Sequence, residues 1–202
     1  MMERPILFSA PMVRALLDGT KTQTRRLVKP QPRRVDGGVP FGDAPAWAHA
    51  EPGSAVMRCP YGKRGERLWV RETWARDDED GALMYRADLG RDMNADAWEQ
   101  GRLEGVPRYR WKPSIHMPRT ASRMTLEVTG VRVERLHQIS RGDAMAEGCP
   151  FANMQDGESP VRWYEYLWRA INGPDSWDAN PWVWVVEFRK AHNARLSRDQ
   201  QP

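Results

Sequence analysis

The apolar residues of this chain come in short bursts punctuated by glycine and proline, and most of those bursts have the length and period of a strand. Ile6-Leu7-Phe8 follows Pro5, Leu27-Val28 closes a basic segment, and Trp182 to Phe188 forms a continuous apolar run of the buried type. From Arg67 to Trp74, Leu68, Val70 and Glu72 alternate with Trp69, Arg71 and Thr73, as a two-faced strand requires. An acidic turn at 77–81 leads to a further strand at Ala82 to Ala87. Arg123 to Leu136 reads as a strand pair, broken at Thr129-Gly130.

Helical spacing is confined to the connections. Ser9 is placed to cap a helix whose Met12, Val13, Leu16 and Leu17 share one face, with Gly19 as its stop. Ser140 and Asp143 form a capping-box pattern that opens a helix ended by Gly148. A third helix begins at Ser159-Pro160 and carries Val161, Tyr164, Leu167, Trp168 and Ile171 on its apolar side. Short strands outnumber helices, so the expected class is α+β: a small, mostly antiparallel β-barrel or curled sheet flanked by about three helices.

A length of 202 residues suits one domain, taken here as 1–190 with a polar tail over 191–202. Two stretches without hydrophobic period, about 30–64 and 88–112, read as long loop insertions, the second with a short helix around Trp98. Cys59 and Cys149 are far apart, and the four histidines show no ligand spacing, so neither a metal nor an organic cofactor is expected. No apolar run is long enough to span a bilayer and no signal core opens the chain; no membrane partner is expected, and the cytoplasm is the expected location. Nothing in the sequence specifies an oligomeric state.

A net charge of +4 suits a nucleoside or RNA partner without demanding one. The charge is unevenly placed. Gly19-Thr-Lys-Thr-Gln-Thr-Arg-Arg26 sets a lysine, threonine hydroxyls and two arginines directly after the first helix. A lysine whose proton is loosened by burial or by neighbouring cations can activate a hydroxyl, and a guanidinium beside them can hold an anion. The alternative is a basic, threonine-rich edge strand facing water. In a regular strand Lys21 and Thr24 face opposite sides, so they converge only if the chain turns just after Gly19.

Four segments then resemble, in order, the ASCH domain of the PUA-like superfamily. They are Gly19-x-Lys21-x-x-Thr24-x-Arg26, Gly65-Glu66-x-Leu68-Trp69-Val70-Arg71-Glu72, Ala144-x-x-Glu147-Gly148 and Trp184-Val185-Val186-Glu187-Phe188. Pro5 to Met12 and Asp178 to Trp182 are similar to a group found in phages and prophages, which would place the protein in a host cytoplasm. The resemblance implies a β-barrel whose cleft holds a nucleoside or an RNA segment. Small bacterial members hydrolyse the acyl amide of N4-acetylcytidine, and carrying their catalytic group over gives Lys21, Thr24 and Glu147, with Arg26 as a substrate ligand. Another member is similar to a ribonuclease, so a metal-independent ribonuclease and a non-catalytic RNA-binding module stand as alternatives to an amidohydrolase.

In this scheme Thr24 attacks the acyl carbon, Lys21 accepts its proton and Glu147 protonates the departing amine. Glu147 falls in the last turn of its helix, where the macrodipole opposes a negative charge, which suits a group that carries a proton. Arg71, Glu72 and Trp74 complete the expected substrate-binding set, Trp74 as an aromatic for stacking on a base. Arg119 and Arg123 form a second basic spot suited to phosphate or to a carboxylate.

Overall fold

The structure is a computed structural model, and it describes residues 3–31, 46–47, 57–77, 80–89, 110–150 and 159–191. The helix expected around Trp98 lies outside the described residues. Strand β1 (Glu3–Leu7) runs into helix α1 (Ala10–Leu17) and then β2 (Gln23–Leu27). Two-residue strands β3 (Ala46–Trp47) and β4 (Met57–Arg58) pair with each other. Strands β5 (Arg67–Arg71), β6 (Trp74–Arg76), β7 (Leu83–Tyr85) and β8 (Thr125–Arg135) precede helices α2 (Arg141–Ala146) and α3 (Pro160–Asn172), and β9 (Trp182–Lys190) closes the order.

One five-stranded sheet, in the order β1-β5-β8-β9-β2, carries the fold. Only its β1–β5 pair is parallel; β5–β8, β8–β9 and β2–β9 are antiparallel. Strand β9 explains the layering. Val183 and Val185 pack with Leu136, Ile139, Ala144, Tyr164 and Trp168 on the α2–α3 side, while Trp184, Val186 and Phe188 join Ile6, Val13, Leu16, Leu68 and Leu126 on the α1 side. A strand buried on both faces has no reason to alternate polar with apolar, hence its unbroken apolar run.

Three sequence expectations change. Residues Arg123 to Leu136 form no hairpin: β8 is a single strand whose two halves both pair with β9, with a bulge between Val128 and Gly130. Glycine marks the close approach of Glu187, whose Oε2 would lie 2.5 Å from a Cβ at position 130. The strand expected over Arg67 to Trp74 divides at Glu72-Thr73, because Trp74 leaves the main sheet to form the β6–β7 hairpin. Finally, no ladder joins β1 to β2 among the described residues, so the sheet does not close as a barrel. It does curl far enough for Arg26 Nη2 on β2 to donate to the Leu7 carbonyl on β1 at 2.6 Å.

The two ends of the sheet's flanking helices are fixed by different devices. Ser9 occupies the N-cap of α1, but its hydroxyl makes no cap bond, and Pro11 in the first turn fixes the entry instead. Helix α2 has the full capping box, with Asp143 N–H donating to Ser140 Oγ at 3.1 Å and Ser140 N–H to Asp143 Oδ2 at 3.0 Å. Among the described residues no helix is long and apolar enough to cross a membrane.

Candidate active site

The site is built where the last turn of α1 and the last turn of α2 meet the start of β2. Gly19, at φ +78°, reverses the chain after α1, and the Ala15 carbonyl accepts both Thr20 N–H and Lys21 N–H. Lys21 then forms an isolated antiparallel bridge with Glu147, and Thr22 N–H donates to the Ala146 carbonyl at 2.8 Å. Only from Gln23 does regular β2 begin. The chain does turn just after Gly19, before the strand rather than inside it.

Lys21, Thr24 and Glu147 are all buried, at 2%, 2% and 3% exposure. Lys21 Nζ donates to Glu147 Oε2 at 2.7 Å and to the Glu147 carbonyl at 2.8 Å. Its ammonium also faces the Phe8 ring at 5.8 Å. Burial lowers the pKa of Lys21, Glu147 opposes that shift, and the nearby Arg26 and Arg25 charges reinforce it. Gly148, at φ +94°, is what lets Lys21 in: a Cβ there would sit 2.9 Å from Ala15 Cβ and 3.2 Å from Lys21 Cβ.

Register on β9 assigns the faces of β2. Thr24 and Arg26 lie opposite Val186 and Trp184, and Gln23 and Arg25 lie opposite Glu187 and Val185. Thr24 and Arg26 accordingly share the α1-side face, and Arg25 reaches toward α2 and α3. A small cleft of about 60 Å³ that opens to solvent is lined by Thr24, Arg25, Arg26 and Glu147, with Tyr164 and Trp168 among its aromatic and apolar walls. The Thr24 hydroxyl makes no hydrogen bond among the described residues. Lys21 is not part of the lining; it stands behind Glu147 and reaches the cleft through that carboxylate. Arg26 has its guanidinium on the Leu7 carbonyl and over the Phe8 ring at 5.3 Å.

The sequence did not single out the network behind Glu147. Arg25 is the missed centre: Nη1 lies 3.4 Å from Glu147 Oε1, and Nη2 bonds Glu134 Oε1 and lies 3.4 Å from Asp143 Oδ2. Arg132 extends the chain, contacting Glu134 at 3.1 Å, Asp143 at 2.8 Å, and Glu187. Glu147 is thus held between an ammonium and a guanidinium, with further carboxylates behind the latter. The signal was the parity of β2: once β9 is its partner, Arg25 must face the helices while Thr24 faces away.

Asp143 does more than cap α2. Burial pushes its carboxyl up, but the Ser140 hydroxyl and N–H, the Arg25 charge and Gln23 outweigh burial and hold it well below the usual carboxylate range. A depressed folded value contributes stability above the ordinary value of 3.8 and loses it as pH falls through the folded value. Asp143→Asn is therefore expected to lower stability at neutral pH and to flatten its decline below pH 3.8, as read by urea midpoints across pH. An unchanged acid limb in that variant would refute the assignment.

Arg71, Glu72 and Trp74 are not among the residues lining this cleft. Glu72 is buried in a bidentate pair with Arg123, at 2.9 and 3.0 Å, and Arg123 also reaches Asp88 at 2.8 Å. Burial raises the Glu72 pKa while the Arg123 contacts pull it down. Arg123 thus has a carboxylate partner, an internal one, and Arg119 likewise pairs with Glu3 at 2.8 Å. Trp74 is buried with Met117 and Ala121, with Lys112 Nζ over its ring at 4.8 Å. Arg71 donates to the Ile115 carbonyl and lies over Trp69 at 5.2 Å. Among the described residues no cluster of His, Cys, Asp and Glu is arranged to hold a metal ion.

No family model matches the sequence, and no curated protein matches it. The fold is similar to the crystal structure of an ASCH domain from Lactobacillus crispatus, with a TM-score of 0.40 and 14% identity over 93% of this chain and 79% of that one.

Proposed function

We propose that this chain is a nucleoside- or RNA-binding protein of the ASCH type that removes an N4-acyl group from cytidine by amide hydrolysis. One observation carries the proposal: a buried lysine–glutamate pair, 2.7 Å apart, whose glutamate lines one cleft together with a threonine hydroxyl that has no partner among the described residues. Amide hydrolysis needs these three parts, a nucleophile, a base and an acid for the leaving amine. Thr24 Oγ attacks the acyl carbon and its proton passes to Lys21, which acts as the amine once its own proton has crossed the 2.7 Å contact to Glu147. The C–N4 bond then breaks, and N4 takes a proton from Glu147, which the 2.7 Å contact with Lys21 resupplies. Water attacks the acyl-threonine and gives a proton to Lys21, the acyl–Oγ bond breaks, and Lys21 returns that proton to Thr24 Oγ, releasing the carboxylic acid with Thr24 and Lys21 restored. Arg26 steadies a substrate oxygen or the developing oxyanion.

Purified protein incubated with N4-acetylcytidine is expected to yield cytidine and acetate in equal amounts by chromatography. Complete inertness on a panel of acylated cytidines overturns the proposal. Affinity for RNA that weakens steeply with salt, without turnover, replaces it with a binding module. Shortening of long single-stranded RNA replaces it with a ribonuclease.

A further inference from the structure

Tyr164 enters the sequence as one more apolar-face residue of α3, yet its surroundings are polar on one side. It is buried, at 3% exposure, and it lines the same cleft as Thr24 and Glu147. The Arg25 guanidinium lies 5.9 Å from its ring centroid, and Trp168 and Trp177 pack at 6.2 and 6.4 Å. A tyrosine buried this deeply ordinarily gives its O–H to a backbone carbonyl or a polar side chain. This one makes no hydrogen bond among the described residues. Burial, and after it the Glu147 charge, raise its pKa well above 10.0, so the hydroxyl remains a neutral donor across the working range of pH.

The charged donor ends around the cleft are engaged, while the Thr24 hydroxyl, reserved for the chemistry, and the buried Nε–H groups of Arg25 and Arg26 have no partner among the described residues. Lys21 donates twice to Glu147, Arg25 is held by Glu134 and Glu147, and Arg26 donates to Leu7. A phosphate here would have to compete with those carboxylates and would meet the Glu147 charge. A neutral ring flanked by Leu27, Leu167, Trp168 and Ile171 would meet apolar walls on that side of the cleft, with the Tyr164 O–H as the unspent donor on α3.

We infer that Tyr164 is a specificity residue that donates its hydroxyl hydrogen to an acceptor oxygen on an uncharged heterocyclic ligand in this cleft. The inference rests on the proposed function and names what the site reads: the base, rather than a phosphate. The acceptor belongs to the ring, so substrate and deacylated product are both held by it.

The test is Tyr164→Phe, with cytidine as the binding probe and inorganic phosphate as a competitor. The dissociation constant for cytidine is expected to rise about 3- to 10-fold, the range for one neutral hydrogen bond. KM for N4-acetylcytidine should rise by a similar factor with kcat within about twofold. Phosphate should not displace cytidine, and the melting temperature should not fall, because the hydroxyl has no partner in the fold. Unchanged cytidine affinity, a fall in melting temperature or loss of folding, or displacement by phosphate each overturns the inference. The two proposals fail separately. Weaker cytidine binding by the variant, with a wild type that hydrolyses nothing, removes the hydrolase and keeps the contact. Turnover by the wild type, with a variant equal to it in KM and affinity, does the reverse. A wild type that binds neither cytidine nor N4-acetylcytidine removes both.

Discussion

Thr24→Val is expected to lower kcat/KM for N4-acetylcytidine by about 10⁴-fold or more while leaving the fold intact. The substitution keeps the β-branched shape that suits a strand and exchanges only the hydroxyl for a methyl group. That hydroxyl has no hydrogen-bond partner among the described residues, so its removal leaves no buried group unsatisfied. The methyl lands on the α1-side face, opposite Val186, where apolar surface is welcome. The melting temperature should therefore hold or rise slightly. Thr24→Ser restores the nucleophile on a more mobile side chain and should retain measurable turnover. Activity of Thr24→Val within tenfold of wild type would mean that the attacking oxygen comes from elsewhere, bound water included. Melting temperature and rate measured on the same preparation separate that outcome from misfolding.

The part of the site legible in the sequence is the part set by local rules. Gly19 and Gly148 announce two helix ends, and the residues next to those ends, Lys21 and Glu147, meet because both helices stop at the same edge of the sheet. Ser140 and Asp143 announce the cap that fixes where α2 begins. What could not be read is whatever depends on strand partners. Arg25 looks like a second copy of Arg26 until β9 is known to lie beside β2; the register then sends one to the helices and the other to the opposite face. Glu72 and Trp74 look like a continuation of a strand facing a cleft. The chain leaves the sheet between them, and Glu72 finds Arg123 from 51 residues away. Thr129-Gly130 resembles a turn because glycine commonly ends strands, but here its missing side chain makes room for Glu187 across the sheet. Tyr164 has the same helical spacing as its apolar neighbours, and no local pattern distinguishes a packed ring from a packed ring with an unspent hydroxyl.

Lys21→Met is expected to be the most damaging single change to the fold, and pairing it with Glu147→Leu to undo most of that damage without restoring catalysis. The Lys21 ammonium is buried against Glu147 Oε2, and removing one member of such a pair strands a carboxylate in the interior at a cost of about 3–5 kcal/mol. Arg25 Nη1, 3.4 Å from Glu147 Oε1, remains as a partial partner and puts the expected loss near the lower end of that range, about 3 kcal/mol. For a chain of this length that corresponds to a fall of roughly 6–12 °C in melting temperature. In Lys21→Met/Glu147→Leu neither charge is present, and Arg25 keeps Glu134 and Asp143. The double variant should recover all but about 1 kcal/mol, the remainder reflecting the Glu147 carbonyl that loses its 2.8 Å bond from Nζ. Deacylation should be absent from both variants, since one lacks the base and the other lacks base and acid. Equal instability of the single and double variants would show that the pair is not what Lys21 contributes to folding. Turnover in Lys21→Met would assign the proton transfer to another group, and the buried pair would then be a structural strut between α1 and α2 rather than the centre of the chemistry.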